Sequence, residues 1–208
     1  MQLTGDHHYY YHLNRSNRLG YPPFKVGDVI DIGEQINPYH DYILNQRKTY
    51  TVTTETDEIP VPGFMFFDLL RLGEVNCPNP LEVACDFAEY CMNYARELTL
   101  EIIRRQEFPH LPSRRECIWL LSDESNIRYW CNALQKNDEH FQLTRLQVRG
   151  HIHETGSEHL LQDMEPVMAA EEAARRYWRG SSAHPERRET IFVGRIKVVE
   201  ILDYTAFL

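Results

Sequence analysis

Between Asn79 and Phe108 the apolar residues Leu81, Ala84, Cys85, Ala88, Cys91, Met92, Ala95, Leu98 and Ile102 recur at helical spacing, and no breaker intervenes before Phe108-Pro109. Asn79 stands at the cap position, Pro80 in the first turn, and Glu82 three residues after the cap, as in a capping box. A helix of this length has to lay its stripe on a partner layer, and strand-prone segments lie on both sides of it. The segment that follows, Pro112 to Trp130, places the short apolar run Cys117-Ile118-Trp119-Leu120-Leu121 before Ser122-Asp123 and a helix from Glu124 to Gln135. Such a strand-to-helix junction sets a polar turn beside apolar walls, where small-molecule sites are often built.

The rest of the chain alternates in the same manner. Tyr9 to Leu13 reads as a strand with Tyr10, His12 and Asn14 on one face. Val29 to Ile32 reads as a short strand, and residues 33–63 as a long, partly ordered loop of the kind that forms lids. Phe141 to Ile152 alternates as a strand, followed by a turn at Gly156. A helix runs from Ala169 to Arg179, opened by Pro166 and closed by Gly180, and Glu189 to Leu202 is the last long strand. Strands and helices in this order predict an α+β fold in one domain, residues 1–208.

A net charge of -9 and a pI near 5.6 argue against coating nucleic acid through a broad basic face, while leaving room for a small basic groove. Five cysteines with no CxxC pair fit reduced thiols, and Cys85, Cys91 and Cys131 fall on apolar helix positions. The N-terminus has no basic-then-apolar leader and no run is long enough to span a bilayer, so the expectation is a cytoplasmic protein with no membrane segment. The motifs GxxxxGK[ST], GxGxxG, GxSxG and HExxH are absent. His151-Ile152-His153 could join His159 or Glu158 in a zinc site, against the commoner reading of histidines on an exposed edge strand. Arg104-Arg105 and Arg114-Arg115 could bind phosphate, against the commoner reading of a solvated face.

Three separated stretches carry a more specific signal: Tyr11-His12-Leu13-Asn14-Arg15, Cys117 to Ser122 leading into a helix, and Arg188-Glu189-Thr190-Ile191-Phe192-Val193. Together they resemble the three motifs of the ADP-ribosyltransferases, in the branch of diphtheria toxin and the poly-ADP-ribose polymerases. The chain also resembles a wider group of bacterial proteins that share the YHLNR-like start, the FPxxPSR turn and the AxxYW helix before the final Glu. The resemblance implies a split β-sheet core with flanking helices, and NAD as substrate. It implies His12 and Glu189 as catalytic residues, with His12 holding ribose and either Trp119 or Tyr129 facing nicotinamide. By the same resemblance Asn14, Arg15 and Ser122 help bind NAD, and Arg114 and Arg115 contact substrate. Trp119 departs from the tyrosine usual in that branch.

The implied chemistry suits these residue types. Breaking the nicotinamide–ribose bond develops oxocarbenium character that a carboxylate stabilises, as in glycoside cleavage. The expected activity is mono-ADP-ribosylation by a bacterial toxin or phage-defence effector, with a nucleic-acid acceptor and an antitoxin protein as partner. The rival readings are ADP-ribosylation of a protein side chain, an NAD glycohydrolase, and a module that binds NAD without chemistry.

Overall fold

The computed structural model describes residues 1–3, 8–14, 22–54, 56–134, 141–180 and 182–207. In chain order these form β1 (Gln2–Leu3), β2 (Tyr9–Asn14), β3 (Val29–Ile32), α1 (Pro38–Asn45), β4 (Thr49–Thr53), β5 (Glu58–Pro62), α2 (Gly63–Leu72), α3 (Pro80–Glu107), β6 (Ile118–Leu120), α4 (Glu124–Leu134), β7 (Gln142–Gly156), α5 (Val167–Arg179) and β8 (Arg188–Leu202). The architecture is α+β with antiparallel strand pairing throughout these elements.

The long strands β7 and β8 form the axis of the main sheet, paired from Leu143 with Leu202 to Gly156 with Arg188. β1 and β2 line the outer edge of β7, and β3 and β6 that of β8. Tyr11 of β2 also bridges Leu121, the residue after β6, through N–H to O bonds of 2.8 and 2.7 Å. Hydrogen bonding therefore runs from β2 through β7, β8 and β6 and returns to β2.

Because side chains alternate along a strand, each strand serves two layers. Leu3, Ile118, Leu120, Leu146, Ile152 and Phe192 belong to one apolar layer, to which Tyr10 and Ile30 add, so all six strands of this sheet contribute. Ile191, Val193 and Trp119 face the opposite way, onto Leu100 and Ile103 of α3 and Tyr177 and Trp178 of α5. Trp178 Nε1 donates to the Leu100 carbonyl at 2.7 Å, which ties the two helices together. α4 lays Ile127 and Cys131 on Leu121 and Leu143.

β7 and β8 approach closely where Gly150 pairs with Gly194. Gly194 has φ +133°, and a Cβ there would stand 2.5 Å from the Arg149 carbonyl oxygen. Gly194→Ala is therefore expected to lower the unfolding free energy by about 2 kcal/mol in urea melts. A loss below about 0.5 kcal/mol would mean that the two strands part here without penalty.

Four expectations from the sequence need correction. Residues 33–63 are largely ordered: they hold α1 and the β4–β5 hairpin. Pro60 and Pro62 had suggested a loop, but they pair with Thr51 and Thr49. The Gly63 N–H to Lys48 O bond of 3.2 Å puts those pairs at positions where the ladder needs no proline N–H. The stripe on α3 is not its buried face: Glu97, Leu100, Glu101 and Ile103 are buried, while Leu98 and Ile102 are exposed. Counting apolar residues misses a face whose carboxylates are neutralised by arginines. Cys85 and Cys91 share that exposed side, and only Cys117 and Cys131 are buried among the free thiols. Finally, His151 and His153 lie on a central strand; buried His153 stacks on Trp178 and its Nε2 lies 3.2 Å from the Tyr177 carbonyl. Among the described residues no helix is long and apolar enough to cross a membrane.

Candidate functional site

The turn ahead of β6 carries Arg114, whose side chain is 5% exposed and meets two carboxylates. Its Nε and Nη2 form a fork on Glu97 of α3, at 2.8 and 3.1 Å. Its Nη1 donates to Glu189 Oε2 at the start of β8 and to the hydroxyl of Tyr177 on α5. The Tyr177 hydroxyl in turn donates to the same Glu189 oxygen. Glu189 Oε1 takes no hydrogen bond among the described residues. Oε2 is thus held by two donors.

Burial alone would raise Glu97, yet Arg114 and His40 outweigh it and hold the carboxyl well below the ordinary range. Burial likewise opposes the charge on Arg114, and Glu189 and Glu97 more than compensate, raising it well above its usual value. Burial and the neighbouring Glu189 push the Tyr177 phenol up, so it stays a proton donor.

α1 closes the network from the other side. Asn37, its cap, donates from Nδ2 to the carbonyls of Arg114 and Cys117 at 2.6 and 3.1 Å, and its Oδ1 accepts from the His40 N–H at 3.0 Å. His40 Nε2 lies 3.2 Å from Glu97 Oε2. Trp119 sits among these groups, stacked on His40 at 6.2 Å with Arg114 5.5 Å from its ring. Its indole N–H is buried without a partner.

The second half of the site is a gap in the pairing of β2 with β6, where Tyr11–Leu121 is the one backbone bridge among the described residues. A continued antiparallel pairing after Tyr11–Leu121 would set Leu13 against Trp119. Instead the Trp119 carbonyl lies 2.8 Å from His12 Nδ1, accepting its proton, and the backbone bridging stops. Tyr11 turns its N–H and C=O away from β7, so alternation aims those of Leu13 into the same gap.

His12 is buried enough that its imidazole is held down at about 4, the bond to the Trp119 carbonyl offsetting this only in part. In the unfolded chain the ring titrates near 6.5, so as pH falls the unfolded state takes up this proton first. Stability is expected to decline from about pH 6.5 to about 4, and His12→Gln should remove that component. Thermal melts of both proteins at neutral and mildly acidic pH decide it: an equal fall in Tm for both would count against the His12 origin.

Fold and site together define an α+β protein whose antiparallel strand circuit, among the described residues, opens between β2 and β6 near a buried carboxylate–arginine network. A family model described as a protein of unknown function, DUF2441, matches residues 10–204, and the chain belongs to that family. A search of curated proteins finds no match.

Of the residues expected at a site, Glu189, Arg114 and Trp119 come together, and His12 touches them through the Trp119 carbonyl. Asn14 ends β2. Ser122 donates to Asp123 at 2.7 Å at the head of α4. Tyr129 packs instead beside Trp130 and Arg187. The Arg115 carbonyl accepts from the Asn37 N–H at 2.7 Å, and Arg15 lies outside the described residues. Sequence reading missed Asn37, His40, Glu97 and Tyr177. Tyr177 alone carried a signal, as the tyrosine of the AxxYW helix. It also missed Asn126, fully buried, whose Nδ2 donates to the carbonyls of Glu186 and Arg188 and whose Oδ1 accepts from Ser122 N–H.

Proposed function

We propose that this chain is an NAD-dependent mono-ADP-ribosyltransferase with an ADP-ribosyltransferase-like split-sheet core. The observation that carries the reading is the gap between β2 and β6. It brings His12, Leu13 and Trp119 together from chain positions more than a hundred residues apart, and Arg114, 5.5 Å from the Trp119 ring, links them to Glu189. A primary carboxamide has both donors and an acceptor, and the paired N–H and C=O of Leu13 are complementary to it. Nicotinamide seated there would direct its ribosyl bond towards Glu189, whose Oε1 stabilises the developing oxocarbenium while the neutral ring departs. Arg114 and Tyr177 hold the carboxylate through its other oxygen.

The acceptor in this reading is a protein side chain. Arg104 binds Glu101 and Arg114 is buried between Glu97 and Glu189, so two of the four arginines that suggested nucleic acid are committed within the chain, while Arg105 is 68% exposed beside Glu101. The test is nicotinamide release from NAD, with transfer of adenine-labelled ADP-ribose to protein or RNA followed in parallel. Label on RNA alone would overturn the acceptor, and free ADP-ribose alone would make the protein a glycohydrolase. Absence of both NAD binding in calorimetry and nicotinamide release would sink the reading as a whole.

A further inference from the structure

The apolar stripe of α3 faces away from its own fold. Leu81, Ala84, Ala88, Cys91, Ala95, Leu98 and Ile102 follow one another at steps of three and four, the spacing of a two-helix seam. Leu81 is 76% exposed, Leu98 40% and Ile102 45%. At about 100° per residue, the helix's charges from Glu82 to Arg104 all fall on the other side, so the seam itself is uncharged over its whole length.

We propose that α3 pairs antiparallel, across a two-fold axis near Cys91, with α3 of a second copy of this chain. The sizes along the seam favour a self-match. Small Ala88, Cys91 and Ala95 occupy its middle and let two helices approach closely, while Leu81, Leu98 and Ile102 fill the ends. The seam is roughly 32 Å long on a helix about 10 Å wide. Exposed Phe64, whose ring lies 5.0 Å from Phe87, widens the apolar face on one flank. On the other flank a groove between α3 and α5 is lined by Met92, Ala95, Met164 and Val167. The seam alone covers roughly 320 Å², and these flanks extend it towards the order of 800 Å² per partner that stable interfaces bury.

The geometry sets a specific test. Near the axis the two Cys91 thiols meet, whereas the two Cys85 thiols are on the order of 15–25 Å apart. Light scattering on the full chain is expected to give a dimer. A short bismaleimide should cross-link it through Cys91 in a Cys85→Ser protein, and fail in a Cys91→Ser protein that keeps Cys85. Ala88→Glu changes an exposed position and leaves the fold in place, so it should weaken dimerisation at least tenfold, with an unchanged circular dichroism spectrum. A monomer at tens of micromolar, or cross-linking that runs through Cys85 as readily as Cys91, would overturn the proposal.

Discussion

Replacing Arg114 with methionine is expected to cost about 3–5 kcal/mol of unfolding free energy, because it strands two buried carboxylates at once. Glu97 and Glu189 have side chains 2% and 8% exposed, and the guanidinium is the cation that bridges them. Methionine fills much of the volume but supplies no charge, leaving Glu189 with the Tyr177 hydroxyl and Glu97 with His40 and the more distant Arg96. Urea unfolding at neutral pH gives the number directly, and a loss under about 1 kcal/mol would show that the network is not a stabilising unit. The depressed carboxyl of Glu97 fixes the acid limb of the wild type. Its contribution is complete above the ordinary carboxylate value of about 4.3 and is lost as pH falls below that towards the lower folded value. Arg114→Met should show less of this acid sensitivity, since the cation that depresses Glu97 is gone.

Glu189→Gln is expected to lower nicotinamide release from NAD by about a thousandfold while NAD binding changes little, because the amide keeps the shape of the carboxylate and loses its charge. In the proposed reaction the effect belongs to the bond-breaking step, because Oε1, which takes no hydrogen bond among the described residues, would face charge that exists only in the transition state. The substitution also removes one partner from Arg114, so its stability needs to be measured alongside. A folded Glu189→Gln protein that releases nicotinamide at the wild-type rate would remove Glu189 from the chemistry.

Much of the scaffold was legible from local rules. The helix expected from Asn79 to Phe108 spans Pro80–Glu107, with Asn79 at its cap position and Pro80 in its first turn, but the expected capping box does not form: the Asn79 side chain makes no cap bond and donates to Glu82 Oε2 at 3.2 Å. Gly180 ends α5 in the left-handed conformation, as a C-cap glycine does. The last strand runs Arg188–Leu202, one residue longer than its β-prone sequence suggested. The hairpin in residues 49–62 was hidden because proline reads as a breaker unless its missing N–H is known to point away from the partner strand.

The site divides in the same way. Glu189, Trp119 and His12 were named through the resemblance of three short stretches to the ADP-ribosyltransferase motifs. Glu97 was not, because a glutamate in a charged helix looks like a solvated residue until its partner is known, and that partner, Arg114, lies 17 residues further along the chain. Sequence by itself placed α3, α4, α5 and most strands of the main sheet to within a few residues, through caps, breakers and alternation, and left α1, α2 and the β4–β5 hairpin unread. Only the tertiary structure decided which side of α3 is covered and which carboxylates are buried. A buried charge needs a counter-ion: Glu101 finds Arg104 on its own helix and Glu97 finds Arg114 from a remote segment, so the charged face of α3 went inward and the apolar seam stayed outside.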